Sequence, residues 1–326
     1  MNPKRSNPLN AGRRVLLRAA ATLAAAASLF AAAPAFAQAP VKIRIGYIPV
    51  GVYAYFWRAQ EAGYFKQAGF EVELVPLAGG GQIIPALESG DLQFGISDIS
   101  SALNARNGGV KVKFVTVNFY QTKENPVHAV VSNDPSVKTP KDLEGKTVVT
   151  NLKFNTDWTV MRAWLRQNGV DLNKVTFQEL GFPDMLAALG ANTVAAAGVI
   201  EPFYTIAEGR GYKVLGRYFA DVRSPIAVSG VMATEAYLAK NGPLVQRFVG
   251  ALDKAVADLS KDPAAARALI AKNTKTPPDL IPKIRLGVWD SKADPAQIQF
   301  WIDRANGEKL LTEKITVQDV LWTAPR

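Results

Sequence analysis

Strand-like and helix-like stretches alternate along this chain, and they do so in two successive series. Residues 41–48, VKIRIGYI, alternate apolar with other side chains as a strand does. Residues 54–65, AYFWRAQEAGYF, carry the spacing of an amphipathic helix, and residues 70–77, FEVELVPL, return to strand. LQFGIS (92–97), DISSALNARNGG (98–109) and VKFVTVNF (112–119) continue as strand, helix and strand. After YQTKENP (120–126) the alternation restarts with the strand HAVVSN and with KTPKDLEGKTVVT (138–150), a helical turn followed by a strand. NLKFNTDWTVMRAWLRQNG (151–169) reads as a loop and an amphipathic helix, capped at Asn155 or Thr156 and ended by Gly169. KVTFQEL is strand and FPDMLAALG a short helix; the continuous apolar run TVAAAGVI (193–200) has the character of a buried parallel strand. KVLGRY and IAVSGVMAT (226–234) are further strands, and from Glu235 onward the pattern is mostly helical. Such alternation requires right-handed crossovers and predicts mainly parallel sheets.

Two series and a helical tail predict two α/β lobes with a cleft between them. The tail has no strand set of its own, so the second series is expected as an insertion into the first. Residues 38–122 then begin lobe 1, 123–228 form lobe 2, and 229–326 return to lobe 1 and add the C-terminal helices. A length of 326 residues suits about two domains and a sizeable core.

The first 37 residues read as a cleaved signal peptide. Lys4, Arg5, Arg13, Arg14 and Arg18 form a basic region, residues 19–33 an apolar one, and AFA (35–37) a cleavage site near Ala37. The apolar run is too short and too alanine-rich to span a bilayer. RRVLLR resembles a twin-arginine signal, but Gly12 stands where Ser or Thr is usual, so either export route stays open. The chain has no cysteine. It therefore has no disulfide, no thiolate nucleophile, zinc-thiolate site or iron–sulfur cluster, and no cysteine to carry a lipid. A free periplasmic protein is expected. The net charge of +10 falls by half once the five basic residues of the leader are removed. The rest are dispersed rather than interleaved with aromatics, which argues against a nucleic-acid partner; a mild positive field favours anionic solutes.

In open α/β sheets, ligands bind beyond the carboxyl ends of the strands. The loops there are PVGVY, AGGGQ, SDISS, LKFNTD and EPFY, and several feed helix N-termini. Helix N-termini carry unpaired N–H groups and partial positive charge, so their convergence makes an anion or polar-solute site without a basic side chain. The three glycines at 79–81 lack the lysine of a Walker loop and the spacing of a dinucleotide fingerprint. The ring of Pro85 clashes with the carbonyl four residues back, so the helix is expected to start no earlier than about Gly81, with the glycines in the loop. They form either a plain turn or a bare-backbone wall of a cleft. Catalysis is not expected: there is a single histidine, His128, no G-x-S-x-G elbow and no metal-ligand spacing, although lysine or carboxylate chemistry stays open. No cofactor or metal is expected. Tyr53 is the best aromatic for a pocket, while Trp158 and Trp164 read as packing. Asp98 and Glu201 each follow an apolar strand. Asp98 is either a ligand contact or a helix cap; Glu201 either binds a ligand amine or hydroxyl or holds its loop.

Five segments in order, IRIGYIP, AQEAGYFKQAGFEVELVPLAGGGQIIPALESGDLQFGISD, KTPKDLEGKTVV, AAAGVIEPFY and GEKLLTEKITVQDVLW, resemble the solute-binding proteins of ABC importers for sulfonates, taurine, nitrate and thiamine-pyrimidine precursors. The resemblance covers almost the whole chain after the leader. It implies a type II periplasmic binding protein fold, two α/β lobes joined by a hinge and closing on a small-molecule solute. It also implies a monomer that docks on an ABC permease in the inner membrane. By position, the implied ligand contacts are Val50, Gly51 and Tyr53; Gly80, Gly81 and Gln82; Ser97, Asp98 and Ser100; Asn118; and Asn155, Thr156 and Glu201. The thiamine-pyrimidine group includes enzymes with a cysteine-rich iron site, and the absence of cysteine excludes that chemistry while leaving a pyrimidine-binding transporter protein open. The glycine-rich second loop is a further departure from the usual pattern. The expected solute is a small organic anion such as an aliphatic sulfonate, taurine or nitrate, with an aromatic carboxylate or thiamine-precursor pyrimidine as the alternative and an enzyme on the same fold as a third reading.

Overall fold

The computed structural model describes residues 39–290 and 293–324; the expected signal peptide lies outside them. The elements below all belong to one unit, Pro40–Arg326. The first series comprises β1 (Val41–Tyr47), α1 (Ala54–Glu61), α2 (Tyr64–Gln67), β2 (Phe70–Pro76), α3 (Gly80–Ser89), β3 (Phe94–Asp98), α4 (Ile99–Asn107) and β4 (Val112–Gln121). The second comprises β5 (His128–Ser132), β6 (Thr147–Thr150), α5 (Thr156–Gln167), β7 (Thr176–Glu179), α6 (Phe182–Gly190), β8 (Ala196–Ile200), α7 (Phe203–Gly209), β9 (Lys213–Gly216) and α8 (Tyr218–Val222). There follow β10 (Ile226–Thr234), α9 (Glu235–Lys240), α10 (Gly242–Lys261), α11 (Pro263–Thr274), β11 (Val288–Trp289), α12 (Pro295–Gly307) and α13 (Val317–Val320).

Two sheets result, ordered β11-β4-β10-β3-β1-β2 and β7-β6-β8-β5-β9. Each is mixed rather than mainly parallel as the alternation suggested. In the first sheet β1 pairs parallel with β2 and β3, whereas β10 runs antiparallel between β3 and β4. In the second, β6 pairs parallel with β7 and β8, whereas β5 runs antiparallel between β8 and β9. The internal antiparallel member is in each case the first strand after the chain crosses from one sheet to the other; the edge strand β11 also runs antiparallel to β4. Helical crossovers dictate direction only within a series, so a strand arriving from the other sheet is free to enter reversed. β11 is a two-residue strand against β4, too short to leave a periodic signal.

Two helix boundaries differ from the sequence expectation. The apolar pattern over residues 54–65 is split at Gly63, whose φ of 70° is left-handed and ends the first helix. α3 begins at Gly80 and holds Pro85 inside it, so Gly80 and Gly81 form its first turn rather than the loop. Proline removes one bond, to the Gly81 carbonyl, and that loss near a helix start is tolerated without ending the helix. The long helix α10 shows the usual logic of a docked helix. Pro243 lies in its first turn, and Val245, Phe248, Leu252, Ala255 and Leu259 bury one stripe at three- and four-residue spacing. Phe248 stacks on Phe94 of β3 with ring centroids 3.8 Å apart and on Phe65 at 6.0 Å. Burying a ring of this size contributes about 1.5–3 kcal/mol.

Candidate functional site

A cavity of about 40 Å³ lies at the carboxyl ends of β1, β2, β3, β6 and β8, lined from both sheets. That volume suits a few water molecules and is far below the roughly 300–1,000 Å³ of an open solute pocket. The lobes are closed on each other, and direct hydrogen bonds hold them. Ser100 N donates to Thr156 Oγ1 at 3.0 Å, and Thr156 Oγ1 donates to Ser100 Oγ at 3.2 Å. Asn104 Nδ2 donates to the Phe154 carbonyl at 2.7 Å, and Gly51 N to the Glu201 carbonyl at 3.3 Å.

Several helix N-termini reach this region, and those of α4 and α5 are already occupied by a carboxylate. Asp98 Oδ1 accepts from Ser101 N at 2.9 Å, capping α4, and from Thr156 N of the other lobe at 2.7 Å. One carboxylate oxygen thus holds the first turns of two helices from opposite sides of the cleft. Asn155 caps α5 by accepting from Trp158 N at 2.9 Å. Asp157, in the same turn, accepts from Thr150 Oγ1 at 2.5 Å, from Asn151 N at 3.1 Å and from the Tyr218 hydroxyl. Burial pushes its carboxyl above the ordinary range in spite of these donors, with the charge of Asp98 adding to the effect. The N-termini of α1 at Tyr53 and of α3 at Gly79 and Gly80 have neither a side-chain cap nor an acidic residue in the first turn. No lysine or arginine lines the cavity.

His128 also reaches the cavity wall. It packs on Phe219 with centroids 4.2 Å apart, and its Nδ1 lies 2.9 Å from Gln121 Nε2. Gln121 Oε1 accepts from Val127 N, which orients the amide so that Nε2 donates to the ring and leaves the imidazole proton on Nε2. Burial lowers the histidine to about 3, so the ring is neutral at physiological pH. The buried polar atoms Tyr55 OH, Thr116 Oγ1, Ser229 Oγ and both amide atoms of Asn118 make no close hydrogen bond among the described residues. Such groups cost about 1–3 kcal/mol each when buried unpaired.

Of the residues implied by resemblance, Val50, Tyr53, Gly80, Asp98, Asn155 and Thr156 line the cavity. Gly51 and Ser100 make the interlobe bonds given above. Gly81 abuts Leu152 of the other lobe: a Cβ there would stand 3.4 Å from Leu152 Cδ2. Ser97 is buried beneath Gly80 and donates to the Asp98 carbonyl at 2.9 Å. Asn118 is buried and does not line the cavity. Gln82 and Glu201 are not brought to the cavity. Gln82 is exposed and accepts from Ala78 N at 3.0 Å. The buried Glu201 carboxylate accepts from Thr205 Oγ1 at 2.9 Å and lies 3.2 Å from Arg285 Nη1. It holds its loop against the segment before β11, the second of the two roles its sequence position allowed. Sequence reasoning missed Asp157. An acid in a helix's first turn ordinarily reads as a solvated partner of the dipole, and only its position beside the cap Asn155 at the end of β6 hinted otherwise.

Comparison with known proteins agrees with this architecture. Residues 52–266, well over half of the chain, match the family described as NMT1/THI5 like. The riboflavin-binding protein RibY of Chloroflexus aurantiacus is 28% identical over 232 residues, 69% of this chain and 64% of that protein. The chain spans less than two thirds of the length of the curated relatives it matches. Among solved structures, the alkanesulfonate-binding protein SsuA from Xanthomonas axonopodis pv. citri, bound to MOPS, superposes with a TM-score of 0.73 at 20% identity, covering 87% of this chain and 98% of that one. The periplasmic aliphatic sulphonate binding protein SsuA from Escherichia coli gives 0.69 at 21% identity, covering 88% and 94%. Two α/β lobes, a reversed strand in the same place in each sheet and a cleft at the carboxyl ends of the strands are the periplasmic binding protein fold, and the chain belongs to the NMT1/THI5-like family.

Proposed function

We propose that the chain is the periplasmic solute-binding component of an ABC importer, capturing a small solute by lobe closure and passing it to an inner-membrane permease. The solute presents a hydrogen-bond donor or cationic edge to Asp98 and Asp157, and an acceptor edge to the uncapped N-terminus of α3. The observation that carries this reading is the cavity lining, which has two carboxylates, a neutral histidine and no lysine or arginine. A zwitterion such as taurine, or an amino-substituted heterocycle such as an aminopyrimidine, satisfies both edges. Relatives named for riboflavin and structures named for sulphonates are compatible with a cleft that reads both donors and acceptors. A simple anion such as nitrate meets like charge instead. Because the closed cavity is small, entry requires the lobes to part, and binding and closure are one event. The role is capture rather than catalysis.

The test is a thermal-shift screen of the mature chain, followed by calorimetry, with taurine, ethanesulfonate, nitrate, an aminopyrimidine and riboflavin. A solute at about a hundred times its dissociation constant stabilises the fold by roughly 2.7 kcal/mol. Stabilisation by solutes bearing a donor or ammonium group, and none by nitrate or ethanesulfonate, supports the reading. Ethanesulfonate stabilising as strongly as taurine removes it.

A further inference from the structure

A second and larger recess, about 720 Å³, adjoins the cleft on the side of Glu201 and carries the opposite charge. Its lining includes Lys123 from the segment between β4 and β5, Arg217 between β9 and α8, Arg267 on α11, and Lys283 and Arg285 just before β11. Five cations therefore come from both sheets' flanks and from the crossing chain. Glu124 is the only acid in the lining.

The local pairing leaves most of these charges unspent. Arg285 is held by Glu208 at 2.7 Å and by Glu201 at 3.2 Å. Arg267 uses Nε on the Ile284 carbonyl at 2.8 Å, an orienting bond that leaves its charge uncompensated. Lys123, Arg217, Arg267 and Lys283 form no ion pair among the described residues. The recess shares walls with the cleft. Arg285 lines it while binding Glu201, whose carbonyl takes the Gly51 N–H. Trp289 lines it while donating Nε1 to the Val52 carbonyl at 2.9 Å, and Val52 lines the cleft cavity.

We propose that this recess is a second binding site, for a small multivalent oxyanion of the phosphate class, separate from the solute cleft. Several converging cations without carboxylate partners give a potential that concentrates such anions. Arginine and lysine together supply both bidentate and point-charge donors for phosphate oxygens. An occupant touching Arg217 on one side and Arg267 or Lys283 on the other bridges the two lobes in their closed arrangement, and so favours closure over opening. The proposal does not depend on which solute the cleft takes.

Inorganic pyrophosphate is the probe. The mature chain is titrated calorimetrically at low and at high salt, alongside an Arg217→Gln/Lys283→Gln double variant and an Asp98→Asn cleft variant, with thermal unfolding as the folding control. Saturable one-to-one binding is expected, weakened about ten-fold or more by the double variant and by high salt, and unchanged by Asp98→Asn. Absence of binding overturns the proposal, as does binding indifferent to the double variant. Loss of binding in Asp98→Asn, which places the anion in the cleft, overturns it too. Sedimentation with phosphatidylglycerol vesicles separates the sources: variant-sensitive vesicle binding without pyrophosphate binding assigns the charge to a lipid surface and refutes a small-anion site.

Discussion

Glu201 and His128 are both buried and both ionise abnormally, in opposite senses, and the pH dependence of stability follows from the pair. Burial raises the Glu201 carboxyl from 4.5 to about 7, against the counteracting Thr205 and Arg285 contacts. Burial lowers His128 from 6.5 to about 3. A raised folded value means that the Glu201 contribution is fully present below about pH 4.5 and is lost as pH rises through about 7. A depressed folded value means that the His128 contribution is present above pH 6.5 and is lost as pH falls through about 3. At about 1.4 kcal/mol per pH unit, the two spans amount to about 3 and about 5 kcal/mol. Between pH 4.5 and 6.5 the folded state holds a proton on Glu201 where the unfolded chain holds one on histidine, so these two slopes cancel. Glu201→Gln and His128→Gln separate them. Urea unfolding is measured for the parent and both variants at half-unit intervals from pH 4.5 to 7.5. Relative to Glu201→Gln, the parent loses about 3 kcal/mol over that range. Relative to His128→Gln, it gains about 3 kcal/mol between pH 4.5 and 6.5. Differences that stay flat with pH refute the assignment of the two buried groups, because contributions from the remaining titratable groups are common to parent and variant.

Other perturbations address the cleft. A Cβ on Gly81 meets only Leu152 across the cleft at an ordinary 3.4 Å, so Gly81→Ala binds solute nearly as the parent does, whereas Gly81→Leu wedges the lobes and weakens calorimetric binding at least about ten-fold. Gly80→Ala instead presses to 3.1 Å on Ser97 Oγ and Ser101 Cβ within one lobe, and costs the fold about 1–2 kcal/mol, seen as a drop in Tm. Asp98→Ala removes the α4 cap and the bond to Thr156 N. It lowers stability by about 1–2 kcal/mol and, in small-angle scattering, shifts the chain toward a larger radius of gyration. An unchanged radius means that Asp98 does not hold the lobes together.

The alternation of strands and helices was legible because each element buries one face and therefore repeats its own period. Strand direction at the crossings was not, since β10 and β5 look like any other buried strand and their reversal is set by where the chain arrives from. Gly63 ended a helix inside an uninterrupted apolar pattern, a turn that periodicity does not register. In the site, Tyr53, Asp98, Asn155 and Thr156 could be placed because loop position at a strand's carboxyl end is a topological property. Glu201 occupies an equivalent position after β8 but faces Arg285, a partner 84 residues further along the chain that no local pattern could have indicated.

The charge of the site is the point at which topology and chemistry diverge. Converging helix N-termini favour an anion only while their N–H groups are free, and here Asp98 and Asn155 occupy those of α4 and α5. A simple anion about 5 Å from the Asp98 carboxylate meets a repulsion of about 3 kcal/mol at an effective dielectric of 20, roughly a hundred-fold in affinity. An ammonium at the same distance gains a comparable amount. Asp98→Asn isolates this effect, because asparagine caps helices as well as aspartate does and leaves the α4 and Thr156 acceptor in place. In that variant ethanesulfonate is expected to bind more tightly than in the parent and taurine less tightly, so the ratio of their affinities moves toward unity, as titration of each solute into parent and variant measures. If both affinities change by the same factor, the cleft does not select by charge at Asp98, and the solute class has to be sought in the other residues that line the cavity.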